Sequence, residues 1–307
     1  MQRRALAATI LLLGACGGAD DTSTDGGVAD AGPDAGRPTR LSETGLYKNF
    51  AAREVAPQNV AFAPAYVLWS DGADKQRWIY LPPGKAIDKS DPDHWQFPVG
   101  TKLWKEFARD GVRLETRLIE RIGPGKDDYW MGSFVWAADD SDAVYAPDGE
   151  SDVRATDHDA PSSVRCLTCH NGEPGRILGF SAVQQGATAP GSPQVSAALG
   201  YLHANCGHCH NENGAARPDT DMMLRLDLAS TTPEASPAYK TAIGVATQYF
   251  HDPLRPLRVT AGDPDASAVL FRMMQRGDNR QMPPIATEHT DTAGLEVVRE
   301  WIAHLPR

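Results

Sequence analysis

Cysteine is scarce in this chain, with five in 307 residues. That excludes the disulfide-dense scaffolds that small exported domains use in place of a large core. Long apolar runs are missing as well. The run at residues 5–13 is too short to serve as a lasting span of a bilayer. Basic side chains are outnumbered, 30 against 40 acidic ones. An acidic balance argues against nucleic-acid partners and against peripheral binding to anionic lipid. Methionine is absent between Cys166 and Cys209.

Four of the five cysteines stand in two copies of one pattern. Cys166-Leu167-Thr168-Cys169-His170 is answered by Cys206-Gly207-His208-Cys209-His210. Both read C-x-x-C-H, the attachment pattern for c-type haem. Two thiols at this spacing can each form a thioether to one porphyrin, and the histidine that follows falls beneath the iron as proximal ligand. The competing readings are zinc or disulfides. A zinc site made of two C-x-x-C pairs has a gap of ~15–20 residues, whereas 36 residues separate Cys169 from Cys206. Zinc also leaves His170 and His210 without a role. The expected cofactors are therefore two haem c groups. Cys166, Cys169, Cys206 and Cys209 anchor them, and His170 and His210 act as metal ligands.

The fifth cysteine is Cys16. Residues 1–16 carry Arg3 and Arg4, then the apolar run, then Leu13-Gly14-Ala15-Cys16, which resembles the lipobox of bacterial lipoproteins. The resemblance implies export, cleavage before Cys16 and a lipid anchor on that residue, on the periplasmic face of a membrane or at the cell surface. An ordinary signal peptide cut nearby is the alternative. Loss of Arg3 and Arg4 leaves 28 basic residues against 40 acidic ones, so a redox protein partner with a basic docking patch is expected. Residues 17–40 are small, acidic and low in complexity, a disordered tether.

The fold class expected is α+β and multidomain. Residues 41–160 hold six of the seven tryptophans and several alternating runs, at 75–81, 112–122 and 129–137. In the second run Val112, Leu114, Thr116 and Leu118 are expected on one face, with Arg113, Glu115 and Arg117 on the other. Turns such as Asp110-Gly111 separate the runs. A small antiparallel β-domain is expected, as a sandwich or partly closed barrel. Residues 161–307 read as mainly helical. Ser192 caps a helix starting at Pro193 that runs into Cys206, and further helices are expected at 265–276 and 292–305.

Met282, in the loop Gln281-Met282-Pro283-Pro284, is the expected distal ligand of the second haem, 72 residues after His210. The first haem has several candidates: Met131, His158, Met222, Met223 and His251. A vacant sixth position is the remaining option and would admit ligand binding or peroxide chemistry.

Together these landmarks resemble a family of exported bacterial dihaem c-type cytochromes, with a class I cytochrome c-like C-terminal module. Further landmarks are Trp69-Ser70-Asp71-Gly72-Ala73-Asp74-Lys75, Phe97-Pro98-Val99-Gly100-Thr101, Glu115-Thr116-Arg117 and Gly262-Asp263-Pro264. The resemblance implies haem binding and electron transfer, and supplies no substrate. Two other functions are weighed beside the electron carrier. One is a dihaem peroxidase-like enzyme with an open first haem. The other makes the β-region a binding module that targets the cytochrome to a partner.

Overall fold

The computed structural model describes residues 36–307. The export segment, Cys16 and the tether as far as residue 35 lie outside the described residues. Pro38–Arg307 forms one compact unit, so folded structure starts slightly before the expected boundary at 41. Thr39 accepts a backbone hydrogen bond from Tyr145, and Arg40 bridges antiparallel to Val144.

The architecture is mixed α+β with antiparallel sheets. A short hairpin pairs β1 (Tyr47–Asn49) with β2 (Glu54–Val55). Six strands then form one antiparallel sheet in chain order: β3 (Val60–Ala61), β4 (Asp74–Tyr80), β5 (Lys102–Arg109), β6 (Val112–Arg121), β7 (Tyr129–Trp136) and β8 (Ala143–Tyr145). Asp110 and Gly111 both have positive φ, 52° and 78°. A two-residue turn with that geometry matches the twist of the strands it joins, here β5 and β6.

The sheet is open, which corrects the expected sandwich or barrel. Its edge strands, β3 and β8, do not pair with each other. Irregular segments cover both faces, so no second sheet is needed. On one face Trp78, Trp104, Leu118, Phe134 and Trp136 pack with Leu41 and Leu46 from the chain's start. On the other, Ile79 and Leu103 pack with Trp95, Phe97, Ile177 and Phe180. A β-bulge between β5 and β6 adds a second correction. Phe107 pairs with Glu115 but Ala108 pairs with Arg113, which leaves Leu114 as the extra residue. Leu114 packs with Val153 and Ala160, apart from the tryptophan cluster.

Five helices follow: α1 (Ser163–His170), α2 (Pro193–Asn205), α3 (Pro237–Ala242), α4 (Ala268–Met274) and α5 (Thr292–Ala303). Ser192 accepts from the Val195 amide, with Pro193 at the first turn, as its sequence implies. Helix α4 is shorter than expected. The Ser267 hydroxyl bonds back to the Asp263 carbonyl and so holds residues 263–267 as a turn. Leu199 and Leu202 of α2 meet Val298, Trp301 and Ile302 of α5 and Leu270 of α4 in the largest apolar cluster. Burial of each such side chain stabilises by about 1.5–3 kcal/mol.

The β-rich and helical regions are bound tightly within this unit. The side chain of Asn205 accepts from the Trp69 amide at 2.6 Å and donates to the Val67 carbonyl at 3.3 Å. A Cβ at Gly200 of α2 would lie 2.0 Å from the Tyr66 ring. Gly200→Ala should therefore destabilise the protein by about 1–3 kcal/mol despite the better helix propensity of alanine, read as a lower midpoint in denaturant unfolding.

Candidate functional site

Helix α1 carries the first motif. Cys166, Cys169 and His170 are spaced i, i+3, i+4 and so share a helix face. Ser162 caps the helix by accepting from the Arg165 amide. The chain then turns, and His170 Nδ1 lies 2.6 Å from the Arg176 carbonyl oxygen. Since the carbonyl can only accept, Nδ1 carries the proton and Nε2 is left as a lone-pair donor. Burial pushes the His170 pKa down to about 4, which keeps the imidazole neutral at pH 7.

Cys166 and His170 border a cavity of about 100 Å³ against the sheet. Leu103 of β5, Ile119 of β6 and Met131 of β7 line it, with Ile177 from the turn after the motif. These three strand residues form one lateral row, because Leu103 pairs with Ile119 and Ile119 with Met131. A second row lies two residues along the strands on the same face. There Arg77 pairs with Lys105, and Lys105 with Arg117. All three cations border the cavity. Burial, then repulsion from Arg117 and Arg77, pushes the Lys105 pKa down to about 7.

The second motif follows α2 directly. His210 Nδ1 is 3.3 Å from the Met222 carbonyl oxygen, the same arrangement as in the first motif. Burial pushes the His210 pKa down to about 4 and that of Cys206 up to about 12. Cys206, Cys209 and His210 border a largely apolar cavity of about 320 Å³. Met282 borders it too, as do Met273, Trp69 and Phe250.

The two motifs touch. Sγ of Cys169, Sγ of Cys209 and a ring nitrogen of His208 all lie within 4.8 Å of one another. The side-chain hydrogen bond between the thiols pushes the pKa of Cys169 down and that of Cys209 up. A Cβ at Gly172 would lie 2.3 Å from the His208 carbonyl oxygen, so the loop after the first motif packs directly on the second. Arg225 ties the same parts together: it ion-pairs with Glu173 and donates to the Asp93 carbonyl at 2.7 Å. Cys166 and Cys206 stay outside the thiol contact and face separate cavities. The four cysteines thus do not converge on a single zinc-sized point.

Among the residues expected as a sixth ligand for the first motif, Met131 borders the cavity of His170. His158 is buried elsewhere, 2.9 Å from Glu115 and against the Phe107 ring. Met222 borders the second cavity, while Met223 and His251 border neither. His203 is buried and accepts from the Leu226 amide at 3.0 Å, a structural role. Asp71 accepts from the amides of Glu288 and His289, so it anchors the C-terminal loop. The cationic row escaped the sequence reading. Its signal was present in the positive residues on successive strands, but it depends on a register that the bulge displaces. Comparison with family models, with curated proteins and with solved structures found no match for this chain.

Glu115 is fully buried between Arg117 and His158. Burial opposes its ionisation, but the Arg117 guanidinium and the His158 hydrogen bond prevail and hold its pKa at about 2 against an ordinary 4.5. The ionised carboxylate thus stabilises the fold above pH 4.5, and that contribution fades as pH falls towards about 2. Glu115→Gln should be less stable than the parent at pH 7, and the gap should narrow over this window. Denaturant midpoints measured across pH for both chains check it.

Proposed function

We propose that this chain is an exported dihaem c-type cytochrome whose role is electron transfer. The observation that carries the reading is the same construction built twice. Each C-x-x-C-H motif borders its own cavity, the second largely apolar and the first apolar along the row Leu103, Ile119 and Met131. In each, a backbone carbonyl holds the histidine's Nδ1 proton and leaves Nε2 free. A methionine borders each cavity as well. Thiols, a neutral imidazole and a thioether are the donor set that covalent haem with histidine–methionine ligation requires.

In this reading Cys166 and Cys169 hold one haem, and Cys206 and Cys209 the other. His170 and His210 would bind the two irons, joined by Met282 at the second site and Met131 at the first. When bound, haem supplies a reversible one-electron couple. The chain does the rest. Buried histidines stay neutral and oriented, the apolar linings exclude water, and thioether sulfur favours the ferrous state. Contact between the motifs at Cys169 and Cys209 supports transfer from one site to the other.

The helical part supports a cytochrome c-like module: α2 enters the motif, α5 packs across α2, and the loop with Met282 lies between α4 and α5. Export as a lipoprotein through Cys16, with the tether as spacer, completes the proposal. The partner is a redox protein with a basic docking patch, matched to the acidic chain. Met131 beside the first cavity favours the carrier over the peroxidase-like enzyme with an open site. The sheet's place as a cavity wall favours a scaffold over a separate binding module.

Pyridine haemochrome analysis of protein matured in a host that attaches c-type haem should give close to two haems per chain. Cys206→Ala with Cys209→Ala should leave one. A haem content near zero, with zinc bound instead, would sink the proposal. Met282→Ala should abolish the absorbance band of methionine-ligated ferric haem at the second site. Met131→Ala should turn the first haem high-spin and able to bind cyanide.

A further inference from the structure

The row Arg77, Lys105 and Arg117 poses a physical problem. These residues occupy directly paired positions on three neighbouring strands, all on the face that borders the first cavity. Like charges directly opposite across a sheet repel and destabilise it. Lys75 stands two residues from Arg77 on the same face, where burial and the cations Lys105, Arg77 and Arg117 push its pKa down to about 5. Only Arg117 has a carboxylate partner, Glu115, and that acid is shared with His158. Among the described residues neither Arg77 nor Lys105 forms an ion pair with a carboxylate. All three cations of the row are at least half-buried. Holding desolvated cations side by side is costly unless an anion joins them.

The anion can be characterised by what lies next to the row. The adjacent row, Leu103, Ile119 and Met131, is apolar and ends at Met131, which borders the same cavity as Cys166 and His170. A partner that satisfies both rows is an apolar body with negative charge along one edge. We propose that Arg77, Lys105 and Arg117 receive the propionate carboxylates of the first haem, so that the β-sheet supplies the anion-binding edge of that site. This rests on the reading of the first motif as a haem site. Guanidinium groups suit it: Arg77 can grip a carboxylate with two parallel hydrogen bonds, and Arg117, whose Nε and Nη2 donate to Glu115, keeps its remaining N–H groups for a second acceptor. The row would then set the first haem's reduction potential. A positive charge at the carboxylate edge disfavours the ferric state, and its loss favours it.

The test is a redox titration of the holoprotein, with haem counted per chain in every sample. The component left in place by Met282→Ala is assigned to the first haem. Lys105→Met should lower the potential of that component and leave the other nearly unchanged, and Lys105→Arg should restore it. Arg77→Met, read the same way, should also lower it, and it serves if Lys105→Met does not mature. Lys48→Met, an exposed lysine paired with Glu54, should move neither component. Two haems per chain with an unmoved first component in both Met variants would overturn this inference and leave the dihaem reading standing. A parent chain with fewer than two haems would overturn both.

Discussion

Two backbone carbonyls decide what the two histidines can do. The Arg176 oxygen takes the Nδ1 proton of His170, and the Met222 oxygen takes that of His210. Each bond selects one tautomer and leaves the other nitrogen unprotonated on a ring that borders a cavity. Neither carbonyl belongs to its motif. One comes from a turn six residues on, the other from an extended stretch twelve residues on. The turn after His170 is itself held by Arg176, whose guanidinium bonds the Asn171 carbonyl and Asp127. Ligand geometry thus depends on loops that carry no recognisable pattern.

The sheet has a different role from the one its tryptophans suggest. Trp78, Trp104, Trp130 and Trp136 are buried on one face, and Trp95 beneath the loops on the other. None forms an exposed binding platform. Trp69 borders the second cavity, and Trp104 reaches the first from within the sheet. The β-rich region therefore contributes to both cavities: strands line the first, and the segment before β4 meets the second through Trp69 and Asn205. This explains why Pro38–Arg307 forms one compact unit. A pocket wall must be rigid relative to the ligands it faces.

The contact between the motifs has its own supports. Gly172 permits the approach because any side chain there would strike the His208 carbonyl. Arg225 and Glu173, both largely buried, lock the flanking loops together. Opposite charges in such a place require each other, since removing one leaves the other buried and unpaired. The proximity of Cys169 to Cys209 is thus built by neighbours of the motifs.

Much of the site's chemistry was legible in the sequence. Cysteine and histidine spacing is a local property of one helical turn, and Ser192-Pro193 or Asp110-Gly111 act through their own backbone. The strand runs at 75–81, 112–122 and 129–137 were legible too, since alternation is local. Which residues share a cavity is a different kind of fact. Met131 lies 39 residues before His170, and only sheet pairing brings them to one pocket. The cationic row depends on the bulge at Leu114. Without it the turn would set Thr116 opposite Lys105, and Arg117 would fall on the other face. The sequence alone determined the ligand types and their local spacing, because those follow from the nearby backbone. Tertiary structure decided which methionines share a cavity with each histidine, the open sheet and the contact between motifs, because these follow from register and packing across distant parts of the chain.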